Sequence, residues 1–155
     1  MNTWVNLTEL ELAYLAGLLD GEGCFSFSDN GANCIRPLVQ LIMTDEEIVN
    51  WVGSVWGAKV TQFARHRALP HHKPQFRVQV TGEKAVEFCK SIYPYLKVKK
   101  KQAELHIEWM VTKSMENAQS RNALRANLKA RSHLLNDDRR VHPSTRILNE
   151  AKRGE

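Results

Sequence analysis

The stretch Leu15-Ala16-Gly17-Leu18-Leu19-Asp20-Gly21-Glu22-Gly23 constrains this chain more than any other. Ahead of it, Thr8 and Glu11 form the T-x-x-E pattern of a capping box, which starts a helix. That helix is expected to run from Leu10 to about Asp20, and its apolar residues do not keep to one face. Leu12, Leu15 and Leu19 make a large-residue stripe, while Ala13, Ala16, Gly17 and Asp20 make a small-residue stripe at i, i+3, i+4 and i+7. A surface helix has one apolar face, whereas a helix apolar on two is buried on both. Small side chains also let a second backbone come close. Gly21 and Gly23 are expected to stop the helix and permit a strained turn, leaving Asp20 and Glu22 where a dry helix contact ends. The plainer reading of the same residues is a buried helix that ends in a Gly-rich turn with a capping Asp.

Only one copy of this stretch occurs in the 155 residues, a length that suits one domain with a real core. The chain carries 22 Lys and Arg against 17 Asp and Glu, with a pI near 9.2, which favours a polyanionic partner. Cys24, Cys34 and Cys89 form an odd set without C-x-x-C spacing. That argues against a disulfide framework or a zinc site and fits a reducing interior. No apolar run has membrane length. The start, Met1-Asn2-Thr3-Trp4, lacks both the basic and the apolar region of a secretion signal, so an intracellular location and no membrane partner are expected. Asn6-Leu7-Thr8, formally a glycosylation sequon, reads only as a helix start.

Residues 24–30 alternate as a strand, with Phe25 and Phe27 inward and Ser26, Ser28 and Asn30 outward. Asn30-Gly31 is a turn pair, so 35–44 should return antiparallel, with Val39, Leu41 and Met43 on the core side and Arg36, Leu38, Gln40, Ile42 and Thr44 on the other. Asp45-Glu46-Glu47 places acids at the positive end of a helix that carries Ile48, Val49, Trp51, Val52 and Val55 to Gly57. A third strand is expected over about 59–67 and a fourth over 75–81, the latter with Phe76, Val78 and Val80 inward. In the link between them, His71 and His72 read as solvated, since metal-site histidines need further ligands at fixed spacing. A helix from Thr81 to Tyr93 completes the order αββαββα, an α+β fold with one four-stranded antiparallel sheet and helices on one face. Further helices are expected from the lysine run of 97–101 through Trp109 to about Met115, over 119–135, and after Pro143, where Ser144 is a candidate cap.

The open sheet face would then show Arg36, Gln40, Arg65, Arg67, Gln75, Arg77 and Gln79, with Asp29 as nearly its only acid. Arginine donates to guanine and glutamine pairs with adenine in the major groove. An ordinary wet sheet face more usually mixes Lys, Glu and Thr. Beyond the sheet, Lys97, Lys99, Lys100 and Lys101 alone would be a solvated helix start or a generic nucleic-acid patch.

The nonapeptide resembles the signature of the LAGLIDADG homing endonucleases, with L-A-G-L-L-D-G-E-G standing for L-A-G-L-I-D-A-D-G. A second match is Leu96-Lys97-Val98-Lys99-Lys100-Lys101-Gln102-Ala103, similar to that family's LKxKxKQA segment. Leu135-Asn136-Asp137-Asp138-Arg139-Arg140 resembles its phosphate-contacting C-terminal loop. The resemblance spans about 8–150 and is nearest the small single-motif members that act as homodimers. It implies one domain: a motif helix over 8–23, the sheet and its packing helices over 24–96, and C-terminal helices with the phosphate loop over 97–155. The sheet would form a DNA-binding saddle.

The function so implied is a site-specific endonuclease that binds a long, near-palindromic duplex and cuts both strands across the minor groove, leaving 3′ overhangs. Two cuts need two centres, so one motif per chain requires two chains related by C2 symmetry. Their contact would run through Ala13, Ala16, Gly17 and Asp20. The resemblance gives the metal to Glu22, with the Gly21 carbonyl as a further ligand and Mg²⁺ as the ion, replaceable by Mn²⁺. Asp20 would orient the turn through backbone N–H groups, and Lys99 would stabilise phosphate charge or polarise water. Sequence readout falls to Ser26, Ser28, Asn30 and the open sheet face, and phosphate contacts to Arg139, Arg140 and His142. Two departures stand out. Glu22 replaces an Asp, and the supporting Gln and Arg of small relatives correspond here to Asp45 and Val49. Asp45 either binds water or metal or caps its helix. Alternatives of the same fold are an RNA maturase acting on an intron and a DNA-binding regulator without cleavage; retained Glu22 and Lys99 favour cleavage over the regulator. The cell compartment follows the target DNA, an organelle or a prokaryotic cytoplasm.

Overall fold

The computed structural model describes residues 3–31, 34–63 and 71–140. After a single 3-10 turn, Thr3–Asn6, helix α1 spans Glu9–Glu22. Its start is the expected capping box: the Thr8 hydroxyl accepts the Glu11 N–H at 3.3 Å, and the Thr8 N–H donates to the Glu11 carboxylate at 2.8 Å. Such a cap contributes about 1 kcal/mol.

The end of α1 differs from expectation. The helix runs through Gly21 and Glu22, and Gly23 has extended backbone with φ −75° and ψ 157°. No left-handed turn intervenes, so strand β1, Gly23–Asp29, follows directly. Glycine is needed at 23 for closeness instead: a Cβ there would lie 2.6 Å from Leu19 Cδ2 and 2.8 Å from the Leu19 carbonyl.

Strand β2, Ile35–Met43, returns antiparallel to β1, with Phe25 facing Val39 and Ser28 facing Arg36. Helix α2, Glu46–Trp56, begins at Asp45, whose carboxylate accepts the Ile48 N–H at 3.0 Å. The cap reading of Asp45 therefore holds for that oxygen. Gly57 closes the helix in the left-handed region, φ 56°, where glycine carries no Cβ penalty. Strands β3, Thr61–Phe63, and β4, Gln75–Thr81, complete one antiparallel sheet in the order β1-β2-β4-β3. The expected third strand was longer; its remainder, with Arg65 and Arg67, lies outside the described residues.

Helices α3, Gly82–Ile92, α4, Lys100–Trp109, α5, Val111–Ser114, and α6, Ala118–Arg140, follow. The helix expected past Trp109 tightens at Met110, whose N–H bonds the Ile107 carbonyl at 3.1 Å, and α5 continues beyond that turn. One side of the sheet carries the core: Phe25, Val39, Leu41, Val78 and Val80 pack with Leu15, Ala16, Leu19, Val49, Trp56 and Phe88. The period-2 expectation for β1, β2 and β4 is met, and the fold is the expected α+β αββαββα arrangement.

Three expectations are corrected. Residues 135–140 are the last turns of α6 rather than a loop. Leu135 packs against the cluster of Trp109 and Leu128, and the Asn136 amide donates to the Phe25 carbonyl on the β1 edge at 3.1 Å, so the helix is held where Asn and Asp would favour a turn. Asp29 shares the parity of Phe25 and Phe27, pointing to the helix side, where it pairs with Lys129 of α6. Finally, Ala16 is 0% exposed. It belongs to the core of its own chain, because the α1 face that packs on the sheet needs a small residue beside Leu15 and Leu19.

Candidate active site and nucleic-acid face

Two segments far apart in sequence meet at the C-terminal end of α1. The Asp20 carboxylate accepts two backbone N–H groups from the segment leading into α4, that of Lys97 on Oδ2 at 2.7 Å and that of Lys99 on Oδ1 at 2.8 Å. The Lys99 ammonium crosses back to donate to the Leu19 carbonyl at 2.7 Å and to the Gly23 carbonyl. The last carbonyls of a helix have no intrahelical donors and form its negative end, so a lysine there is doubly favourable. Asp20 was expected to orient its own turn; it grips residues 97–99 instead. Partial burial pushes its carboxyl up. The N–H groups of Lys97, Lys99 and Val98 and the Lys99 charge together outweigh that and hold it below the usual carboxylate range.

Glu22 is treated differently. It is exposed, and its carboxylate takes no hydrogen bond or ion pair from the described residues. Gly21, also exposed, supplies one of the final-turn carbonyls of α1. Among the described residues no group of three or more His, Cys, Asp or Glu could hold a metal. A cation here would take hard oxygen ligands from Glu22 and the Gly21 carbonyl, and the rest from outside this chain. That donor set fits Mg²⁺.

The outer face of α1 is not the expected stripe. Leu10 is 83% and Tyr14 51% exposed, and Gly17 and Gly21 are exposed on the same side, with Ala13 half-buried beside them. A Cβ added at Gly17 or Gly21 would meet nothing within 4 Å. Each glycine costs a helix about 0.5–1 kcal/mol relative to alanine, and nothing within the described residues requires either. Tyr14 leans on Trp51 of α2, with ring centroids 5.7 Å apart.

The sheet surface away from the core carries Cys24, Ser26 and Ser28 of β1, Arg36, Leu38, Gln40 and Ile42 of β2, Gln75, Arg77, Gln79 and Thr81 of β4, and Thr61 of β3. The register aligns Cys24, Gln40 and Gln79 in one row and Ile42, Arg77 and Thr61 in the next. No acid lies on the described part of this face. Asn30 is exposed just past β1. Arg139 and Arg140 fall in the last turn of α6 with side chains outside the described residues, as is all of His142. The α6 stripe of Arg121, Arg125 and Lys129 is engaged internally: with the Met115 carbonyl at 3.1 Å, with the Thr112 hydroxyl at 3.3 Å, and with Asp29. His71 and His72 are exposed and meet edge to face, with ring centroids 4.8 Å apart. The three cysteines are free. Cys89 and His106, the latter left aside by the sequence reading, form a buried contact of 3.6 Å beneath the sheet.

An αββαββα chain with a four-stranded antiparallel sheet and an acid-bearing helix end has the fold of the LAGLIDADG homing endonucleases. I-CvuI, in complex with the I-CreI target in the presence of Mg, with the DNA not cleaved, is 20% identical with a TM-score of 0.65, over 82% of each chain. The archaeal intron-encoded I-Vdi141I, complexed with DNA, is 15% identical with a TM-score of 0.66, over 82% of this chain and 84% of that one. I-CvuI in complex with its own target in the presence of Ca aligns at 21% identity and a TM-score of 0.65, over 81% of this chain and 82% of that one. No family model matches the chain, and no curated protein matches its sequence.

Proposed function

We propose that this protein is a site-specific DNA endonuclease of the LAGLIDADG type, acting as a homodimer on a near-palindromic duplex. The observation that carries this reading is the division between two acids at one helix end. Asp20 is spent on Lys97 and Lys99, while Glu22 stands exposed beside a lysine-capped helix terminus. A second copy packed on the Leu10, Tyr14, Gly17 and Gly21 face would bring two Glu22 carboxylates to one axis, which two strand cuts need. The unneeded glycines support that contact. The I-CvuI and I-Vdi141I complexes with DNA support a duplex as substrate.

Each residue then has one task. Glu22 and the Gly21 carbonyl would hold the cation that the reaction needs. When bound, Mg²⁺ supplies a water of lowered pKa and stabilises charge on the leaving oxygen. Lys99 holds positive charge at the same place, facing the negative phosphate. Arg36, Gln40, Gln75, Arg77 and Gln79 read base edges, and Arg139 and Arg140 with His142 contact phosphates. Hydrolysis across the minor groove leaves 3′ overhangs. Retained Glu22 and Lys99 favour cleavage over a regulator that only binds, and no residue singles out intron RNA as substrate.

Selection from a randomised duplex library tests this reading. The purified protein with Mg²⁺ should enrich cleaved ends that share one long, near-palindromic sequence with 3′ overhangs. Binding without enrichment of any cleaved sequence would refute it.

A further inference from the structure

We infer that Asp20 is a positioning residue that acts on the reaction through Lys99 and holds no metal. This rests on reading Glu22 and Lys99 as the cleaving pair. Asp20 and Glu22 stand two apart on a helix, a spacing that does not place side chains on one face. Each Asp20 oxygen already accepts a different N–H group. Lys99 is thereby gripped at both ends: its backbone by Asp20, its ammonium by the Leu19 and Gly23 carbonyls. All these bonds converge on the last turn of α1 and on Gly23, the residues that flank Glu22. A lysine side chain has a long flexible stem, so its charge stays beside Glu22 only if both anchors hold.

Asparagine is therefore a harsh replacement here. It offers one acceptor oxygen where the carboxylate offers two, and its amide would set a donor against the second N–H. A second, independent route removes a donor instead. Lys97→Pro deletes the N–H that reaches Oδ2, and Leu96, at φ −66° and ψ 139°, already has the backbone that a following proline favours.

The test measures five quantities on Asp20→Asn and Lys97→Pro: with a duplex recovered by that selection, single-turnover cleavage, the Mg²⁺ concentration for half-maximal rate and affinity in Ca²⁺, and on the protein alone, melting and amide exchange. Both variants should cut about a hundredfold more slowly, as a misplaced catalytic group does. Half-saturating Mg²⁺ and affinity should stay within about twofold. Amide exchange at Lys99, which needs no cleavage, should quicken by about tenfold in Asp20→Asn. An unchanged rate or unchanged exchange overturns the inference. So does a large rise in the Mg²⁺ requirement, which would make Asp20 a ligand, or a loss confined to affinity and melting, which would make it merely structural. If Glu22→Gln and Lys99→Met also cut like the wild type, the reading of Glu22 and Lys99 as the cleaving pair is what fails.

Discussion

The backbone N–H of Lys99 donates to Asp20 Oδ1 at 2.8 Å across 79 residues of chain, joining the two segments on which the proposed chemistry depends. Lys99→Met should uncouple them. Its ammonium donates to the Leu19 and Gly23 carbonyls, so its loss takes a charged donor from both, although the Leu19 carbonyl keeps the Gly23 N–H that caps the helix. A partly buried charged hydrogen bond of this kind is worth about 1–3 kcal/mol. Urea unfolding should show that loss, and an unchanged midpoint would mean the carbonyls find other donors.

The corrected face of α1 gives a contrasting pair. Gly17→Trp enters open space in the single chain, so the monomer should melt as before while the dimer is lost. Ala16→Trp enters a fully buried position and should unfold the monomer instead. Sedimentation should give twice 17.8 kDa for the wild type and 17.8 kDa for Gly17→Trp. A Gly17→Trp dimer would move the interface elsewhere.

The proposed readout by the sheet should be separable from phosphate binding. Arg77→Ala should cost about 1–3 kcal/mol against one base pair and leave the others nearly unchanged. Arg139→Ala should weaken every site alike and reduce the salt slope by about one. Equal losses of both kinds in both variants would remove the sheet as reader.

His106 makes stability depend on pH. Burial pushes its pKa from 6.5 down to about 4, against a smaller upward pull from the Ser26 backbone. The native ring stays neutral where the unfolded one takes a proton. Its contribution is whole above pH 6.5 and is lost as pH falls from there to about 4, by at most about 3 kcal/mol. His106→Gln should flatten the melting profile over that window, and an unchanged slope would assign it to other groups.

Much of the fold is written in short-range periodicity. Phe25, Val39, Leu41, Val78 and Val80 alternate, and the same alternation could have placed Asp29 beside Phe25 and Phe27 on the helix side. Size misled at α1: Ala16 is small because the core is tight there, whereas the large Tyr14 and Leu10 face outward. Glycine misled too, because Gly23 is demanded by the approach of Leu19 rather than by a turn. Asn136 and Leu135 read as loop residues until β1 and the Trp109 cluster are there to hold them. The Asp20 clamp could not be read at all, since no period or spacing links residue 20 to residues 97 and 99.

The central claim is that Glu22 holds the cation that cuts DNA. Glu22→Gln keeps size and polarity but removes the charge that draws Mg²⁺ to the phosphate. Affinity resides mainly in Lys and Arg contacts, so gel shifts in Ca²⁺ should be as strong as in the wild type or stronger. On supercoiled target plasmid with Mg²⁺, nicking and linearisation should fall to background at every metal concentration. Full cleavage by Glu22→Gln would contradict the account.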